Sequence, residues 1–226
     1  LRNLIVELEA PINTITTTPS QPADMSSQEL KLLNRDQKHV LDRVMNTEDY
    51  VLVLGMPGTG KSTTISLLVQ ELVRTNHSVL ITAYTHNAVD SLLLKLLHLG
   101  VPFARFGSKS TSLEPAIAQY AVDNGRFETV EQLNAFLAPI QVYAATSLGV
   151  RSLLVQKKRF DYCIIDEASQ ITQPNAFGPL LLAKKFVLVG DHHQLPPLVR
   201  CEEARKRGLD VSLFKRLSDA HPESVV

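Results

Sequence analysis

The eight residues Gly55-Met-Pro57-Gly58-Thr59-Gly60-Lys61-Ser62 follow directly on the apolar run Tyr50-Val-Leu-Val-Leu54. This is the G-x-x-x-x-G-K-S pattern of a phosphate-binding loop set between a strand and a helix. Glycines let the backbone turn so tightly that consecutive N–H groups converge on phosphate oxygens. The helix opening at Lys61 adds the positive end of its dipole. Lys61 is expected to reach the β- and γ-phosphates and the Ser62 hydroxyl to ligate Mg²⁺, with Thr63 next in the same first turn. A glycine-rich turn that merely joins strand to helix rarely ends in Gly-Lys-Ser, so the stretch implies binding of a nucleoside triphosphate.

A second set of polar residues closes another apolar stretch. Asp161-Tyr-Cys-Ile-Ile165 is followed by the adjacent carboxylates Asp166 and Glu167, then Ala-Ser-Gln170. Neighbouring side chains of an extended strand point to opposite faces, but where the strand ends the backbone turns and both can reach one site. Asp166 is expected to hold the Mg²⁺ shell, and Glu167 to orient and deprotonate an attacking water. Two solvated residues opening a loop is the plain alternative, and a phosphate loop upstream weakens it. A third stretch, Phe186-Val-Leu-Val-Gly190-Asp191-His192-His193-Gln194-Leu-Pro196-Pro197, again ends a buried run in polar residues. Gln194 is placed to hydrogen-bond a γ-phosphate or its water. A simple turn is the plain alternative for Gly190-Asp191, and it is the reading for His192 and His193, which lack partners at metal-ligand spacing.

A regular framework must position these groups. Strands are expected at 50–54, 78–83, 103–106, 141–145, 161–165 and 186–189, and helices near 61–74, 86–98, 114–123, 129–138, 173–183 and 211–218. Continuous apolar strands such as Cys163-Ile-Ile165 suggest burial on both faces, so the fold class is α/β, a mostly parallel sheet with helices on both faces. Ligands in such sheets sit at the carboxyl ends of the strands, where every motif above falls. Upstream, Ser26-x-x-Glu29 and Asn34-x-x-Gln37 resemble capping boxes, the second opening a helix with Val40, Leu41, Val44 and Met45 on one face. Leu4-Ile5-Val6 reads as a strand or the end of a preceding element, and the Thr/Pro-rich residues 11–24 as linker. Residues 25–226 then form one lobe, with a helical insertion at about 107–140 that has a loop at Asn124-Gly125.

Composition narrows the classes. Of 226 residues 44% are hydrophobic and 20% charged, as in an ordinary globular protein with a substantial core. Lys plus Arg and Asp plus Glu number 23 each, so nucleic-acid binding must come from a local patch. Cys163 and Cys201 are the only cysteines and make no zinc or iron–sulfur pattern. No apolar run is long enough to span a membrane. A chain that starts at Leu1 reads as a fragment or a processed product.

The ordered set Gln37, Gly55–Ser62, Thr82-Ala-Tyr-Thr85-His86-Asn87-Ala-Val-Asp90, Ala145-Thr146-Ser147, Asp166-Glu167-Ala-Ser-Gln170 and Gly190-Asp191-His-His-Gln194 resembles the superfamily 1 helicases. The resemblance is to the branch that includes the nonsense-mediated-decay RNA helicase, over about residues 34–219. Wording such as Tyr-Thr-His-x-Ala-Val-Asp and Ser212-Leu-Phe-Lys-Arg-Leu217 is similar to the helicase part of flap-processing replication nuclease-helicases. The resemblance implies the first RecA-like lobe of a P-loop NTPase, with ATP and Mg²⁺ as cofactors. It implies an ATP-driven 5′-to-3′ translocase on single strands, DNA more than RNA, acting in replication and repair in the nucleus, with a cytoplasmic RNA helicase of the same branch as the alternative. Gln37 is then the reader of the adenine edge, although a capping-box role suits it equally. Thr85, His86, Asn87, Thr146 and Ser147, with Pro196 and Pro197, match segments lining the single-strand track, where uncharged hydroxyls and amides suit sequence-independent contact. An ordinary helix cap is the alternative for Thr85–Asp90. Arg105 reads as a further strand contact or as a surface charge.

The resemblance also implies partners. ATP lies between two such lobes, and the second supplies arginines facing the γ-phosphate and a Gln-Tyr-Arg-Met type motif; a nuclease domain brings a Cys cluster. None of these sequences is among the 226 residues. An arginine finger contributes roughly 10³–10⁵ in rate in related systems. The lobe alone is therefore expected to bind nucleotide weakly, to hydrolyse it poorly and to unwind nothing. A nucleotide-gated binding module without turnover is the alternative of a different class. A small-molecule kinase has no need of Asp166-Glu167 followed by Gly190-Asp191-x-x-Gln194, and a ring-forming ATPase does not account for residues 82–90 and 190–197.

Overall fold

The computed structural model describes residues 2–5, 7–12, 33–56, 58–107, 113–123, 125–191 and 193–226. The elements are α1 (Arg2–Ile5), α2 (Arg35–Asn46), β1 (Tyr50–Leu54), α3 (Lys61–Arg74), β2 (Val79–Ala83), α4 (His86–His98), β3 (Phe103–Phe106), α5 (Pro115–Ala118), β4 (Ala121–Val122), α6 (Val130–Leu137), β5 (Val142–Thr146), α7 (Leu153–Gln156), β6 (Phe160–Asp166), α8 (Gln173–Leu180), β7 (Ala183–Gly190), α9 (Glu202–Lys206) and α10 (Leu213–Ala220). Among the described residues seven strands form one sheet in the order β1-β7-β6-β2-β5-β3-β4. Every pairing in it is parallel.

Alternation along the strands builds two cores. Val51, Val53, Val79, Ile81, Val187 and Val189 meet Val44, Leu68, Leu72 and Leu93 of α2, α3 and α4. Their neighbours Tyr50, Leu52, Leu80, Cys163, Phe186 and Leu188 face the other way, toward Val155, Leu180, Phe214 and Leu217. Both faces are covered by helices, which is why these strands read as unbroken apolar runs. Local chemistry fixes the helix starts. Asn34 Oδ1 accepts from the Gln37 amide at 2.8 Å and Gln37 Oε1 from the Asn34 amide at 3.1 Å, a complete capping box for α2. Ser212 Oγ caps α10 by accepting from Lys215 N at 3.1 Å.

Several expectations are corrected. Residues 114–123 are not one helix: α5 stops at Ala118, and Ala121-Val122 pair with Arg105-Phe106 on the open edge of β3. Sheet pairing there overrides the helical pattern, so the insertion at 107–140 is not wholly helical. Leu4-Ile5 lie in a helical turn, not a strand. Residues 7–12 are docked on the lobe, and of the stretch 11–24 expected as linker only residues 11 and 12 are among those described. Ile12 N donates to Asp49 Oδ2 at 2.7 Å, Glu48 N donates to Ile12 O at 3.1 Å, and His221 Nε2 meets Leu8 O at 2.6 Å. The capping box at Ser26–Glu29, most of the linker, Pro57, Asn124 and His192 lie outside the described residues. Among the described residues no helix is long and apolar enough to cross a membrane.

Candidate nucleotide site and strand edge

Register brings the motifs onto one edge. Leu54 is aligned with Gly190, Ala83 with Asp166, and Ala83 again with Thr146. The loops after β1, β7, β6, β2 and β5 therefore leave the sheet side by side, at its carboxyl end.

The phosphate loop has the backbone its glycines permit. Gly58 and Gly60 take φ of +79° and +81°, the left-handed region closed to most side chains. At Gly55 the constraint is space, because an added Cβ would collide with the Lys61 side chain that lies over it. Thr59 Oγ1 donates to Met56 O at 2.8 Å, closing the loop on itself. Ser62 sits half-buried in the first turn of α3. Thr63 is committed within the lobe, its amide donating to Gly60 O at 2.9 Å and its hydroxyl accepting from Lys95 Nζ at 2.9 Å.

Gln37 serves two ends at once. While Oε1 completes the capping box, Nε2 donates to Thr59 O at 3.2 Å and so ties α2 to the phosphate loop. A cavity of about 450 Å³ opens beside it, lined among others by Gln37, Leu54, Gly55, Thr59, Lys61 and Val189.

Lys61, Asp166 and Glu167 converge. Lys61 Nζ donates to Glu167 Oε1 at 2.7 Å and lies 3.8 Å from Asp166 Oδ1. Glu167 adopts φ +53°, an uncommon conformation for a residue with a side chain that costs on the order of 1–3 kcal/mol. Its other oxygen accepts from Gln170 Nε2 at 3.3 Å. Asp166 is 5% exposed, and burial pushes its carboxyl pKa up; Lys61 partly offsets this and the neighbouring Glu167 charge adds to it. A buried carboxylate of that kind favours a cation beside it.

Behind this cluster Gly190 packs on the turn after Glu167, where an added Cβ would lie 2.9 Å from Ser169 N. Asp191 N donates to Ser169 Oγ at 3.4 Å. Asp191 Oδ2 accepts from Gln194 Nε2 at 2.8 Å, so the Gln194 amide is oriented through its nitrogen. His193 N donates to Asp191 Oδ1 at 2.9 Å within that turn.

The residues expected along a strand track divide. Thr85, His86, Asn87 and Pro196 are exposed, whereas Pro197 is buried. Thr85 also caps α4, its Oγ1 accepting from Ala88 N at 3.2 Å. Thr146 and Ser147 are only 7% and 4% exposed. The Thr146 hydroxyl accepts from Gly149 N at 3.1 Å, and the Ser147 hydroxyl pairs with Thr82 Oγ1 at 3.0 Å. The Ser147 hydroxyl fastens the end of β5 to β2, and the Thr146 hydroxyl closes the turn that follows β5. Arg105 is neither a surface charge nor a strand contact, since its side chain is fully buried. Its Nε donates to Asp90 Oδ1 at 2.7 Å, Nη1 to Phe106 O at 2.7 Å, and Nη2 meets His86 Nδ1 at 3.0 Å. Sequence reasoning missed this network. The spacing of His86 and Asp90, one helical turn apart on the same face, was the available clue.

A protein-family model described as an AAA domain (AAA_11) matches residues 32–135 and 121–202. The DNA replication ATP-dependent helicase/nuclease JHS1 of Arabidopsis thaliana is 42% identical over 226 residues, all of this chain and 17% of that protein. The corresponding helicase/nuclease of Schizosaccharomyces pombe is 44% identical over 228 residues, covering 16% of its length. That of Homo sapiens is 43% identical over 225 residues, 96% of this chain and 21% of the human protein. The chain thus spans between a sixth and about a fifth of the length of these relatives. Among solved structures, the UvsW helicase of bacteriophage T4 aligns with 70% of this chain and 52% of its own at 15% identity, with a TM-score of 0.46. With a phosphate loop, paired carboxylates and a parallel sheet that brings them together, the chain belongs to the AAA domain family represented by that model, and it aligns along its length with one segment of the DNA replication helicase/nucleases.

Proposed function

We propose that this chain is the nucleotide-binding first motor lobe of an ATP-dependent 5′-to-3′ helicase that moves on single-stranded DNA in replication and repair, in the nucleus. The observation that carries the reading is the meeting of Lys61 with Asp166 and Glu167 at one edge of the sheet, Nζ to Oε1 at 2.7 Å. A phosphate ligand, a buried carboxylate and a prospective base in contact are the parts that phosphoryl transfer to water requires.

The roles follow from position. Backbone amides of Gly58, Gly60 and Lys61 would cradle phosphates, and Lys61 would move from Glu167 to the β- and γ-oxygens. The Ser62 hydroxyl and the Asp166 carboxylate are hard oxygen donors, a set that fits Mg²⁺. When bound, that ion neutralises charge on the phosphates. Glu167, held by Gln170 after Lys61 leaves, orients the attacking water and takes its proton. Gln194, steadied by Asp191, has its amide oxygen left to meet that water. To read an adenine edge, Gln37 would have to turn its amide from Thr59 O or the Asn34 amide to the base. Beyond β6, the exposed Thr85, His86 and Asn87 at the end of β2 offer polar groups to a sugar–phosphate backbone. A second α/β lobe supplying arginines, and a nuclease domain, complete the machine in this reading.

Fluorescent ADP titrated into the chain, beside Lys61→Ala, tests the nucleotide half. ATP hydrolysis with and without single-stranded DNA tests the lobe reading. Saturable binding lost in Lys61→Ala, with turnover no greater than that variant's, supports half a motor. Hydrolysis stimulated many-fold by DNA would mean that the lobe needs no second one.

A further inference from the structure

We propose that Arg105 is a positioning residue for strand binding: it fixes the His86 ring with its proton on Nε2, so that this N–H points outward as an uncharged donor to a phosphodiester oxygen. The proposal rests on the reading of Thr85–Asn87 as part of the strand track.

The chemistry of the contact leaves one tautomer. A guanidinium has N–H donors and no acceptor. Arg105 Nη2 lies 3.0 Å from His86 Nδ1, so Nδ1 must accept, and the ring's proton is left on Nε2. Arg105 cannot rotate away to suit another tautomer, because Nε is held by Asp90 and Nη1 by the Phe106 carbonyl, each at 2.7 Å. It has no exposed surface, whereas His86 is exposed. Two bonds already anchor the guanidinium within the core. The third reaches out to a solvent-facing ring, which a purely internal brace does not need. His86 is also the first residue of α4, immediately after the end of β2 and beside Thr85 and Asn87. A fixed neutral donor there adds affinity without adding a counterion-releasing charge, which suits a surface that must hold and release a backbone of any sequence.

The test uses ring ¹⁵N correlation spectra of the chain at neutral pH, the His86 signal being identified by its loss in His86→Ala. The expected spectrum has Nδ1 unprotonated and Nε2 protonated; a dominant Nδ1–H form or an imidazolium overturns the proposal. In Arg105→Lys, which keeps a cation for Asp90, the ring should become a mixture of tautomers, and an unchanged Nε2–H form would show that Arg105 does not set it. With added oligo(dT), the Nε2 signal should shift and His86→Ala should weaken binding roughly 2- to 10-fold, the scale of one neutral hydrogen bond. The log–log salt dependence should stay the same; a slope reduced by about 0.7 would mean a charged ring on phosphate and overturn the proposal. A strand that binds while the ring stays silent overturns the contact alone. Failure of the unaltered chain to bind oligo(dT) overturns the strand reading itself, and the contact with it.

Discussion

Lys61 Nζ donates to Glu167 Oε1 across 2.7 Å, so the residue proposed to grip phosphate and the residue proposed to activate water share one hydrogen bond. For Lys61 to reach a nucleotide it must leave Glu167. In the proposed site, phosphate binding and release of the base would be one event, with Gln170 Nε2, 3.3 Å from Glu167 Oε2, as the contact left to hold the carboxylate.

Glu167→Gln removes the competing charge while leaving a side chain of the same shape. Affinity for ADP without metal should rise about two- to fivefold, the factor corresponding to a part-exposed ion pair. In the full-length helicase proposed above the same change should cut hydrolysis by about 10²–10⁴. Fluorescent-nucleotide titration and steady-state turnover check the two halves, and weakened ADP binding would contradict the competition.

Asp90 and Arg105 form a pair with one partner fully buried. Removing one leaves the other uncompensated, so Asp90→Ala should lower stability by about 3–5 kcal/mol in urea denaturation. Replacing both, as Asp90→Leu with Arg105→Met, should cost clearly less than the sum of the single changes, because no buried charge is stranded.

Acid should act on the opposite end of the sheet. Burial alone would raise the Asp161 carboxyl, but hydrogen bonds from Lys184 and from the Ser78 amide and hydroxyl outweigh it and hold the pKa at about 2. A folded value below the unfolded one of about 4 gives stability that is present above pH 4 and lost as pH falls toward 2. Allowing for a carboxyl 29% exposed, the contribution is about 1–2 kcal/mol at neutral pH. Asp161→Asn should flatten the stability profile between about pH 4 and pH 2, and an unchanged slope would contradict the assignment.

Gly190 has no room for a side chain, since an added Cβ would lie 2.9 Å from the Ser169 backbone nitrogen. Gly190→Ala should cost about 1–3 kcal/mol through the forced shift. That shift separates the turn after Glu167 from Asp191 and Gln194. Thermal denaturation of the chain should show the loss, and the full-length helicase proposed above should lose turnover more than nucleotide affinity.

The sequence by itself determined six of the seven described strands, the phosphate-loop motif and the paired carboxylates. Tyr50–Leu54, Lys61–Arg74, His86–His98 and Phe103–Phe106 could be read residue for residue, because local periodicity, capping and glycine spacing are encoded within a few neighbours. The same local logic placed Asp166 and Glu167 at a strand end. What only the tertiary structure decided depends on partners far along the chain. Ala121-Val122 became a strand because β3 offered an open edge, against a helical pattern of their own. Thr146 and Ser147 look like surface hydroxyls in sequence, yet their groups are taken up by Gly149 and Thr82. Arg105 is charged in a short strand, which suggests the surface until the 15-residue return to Asp90 is seen. A buried charge is stable only where a specific counter-charge and acceptors meet it. That meeting is a property of the folded sheet and helix together, and no single stretch of sequence contains it.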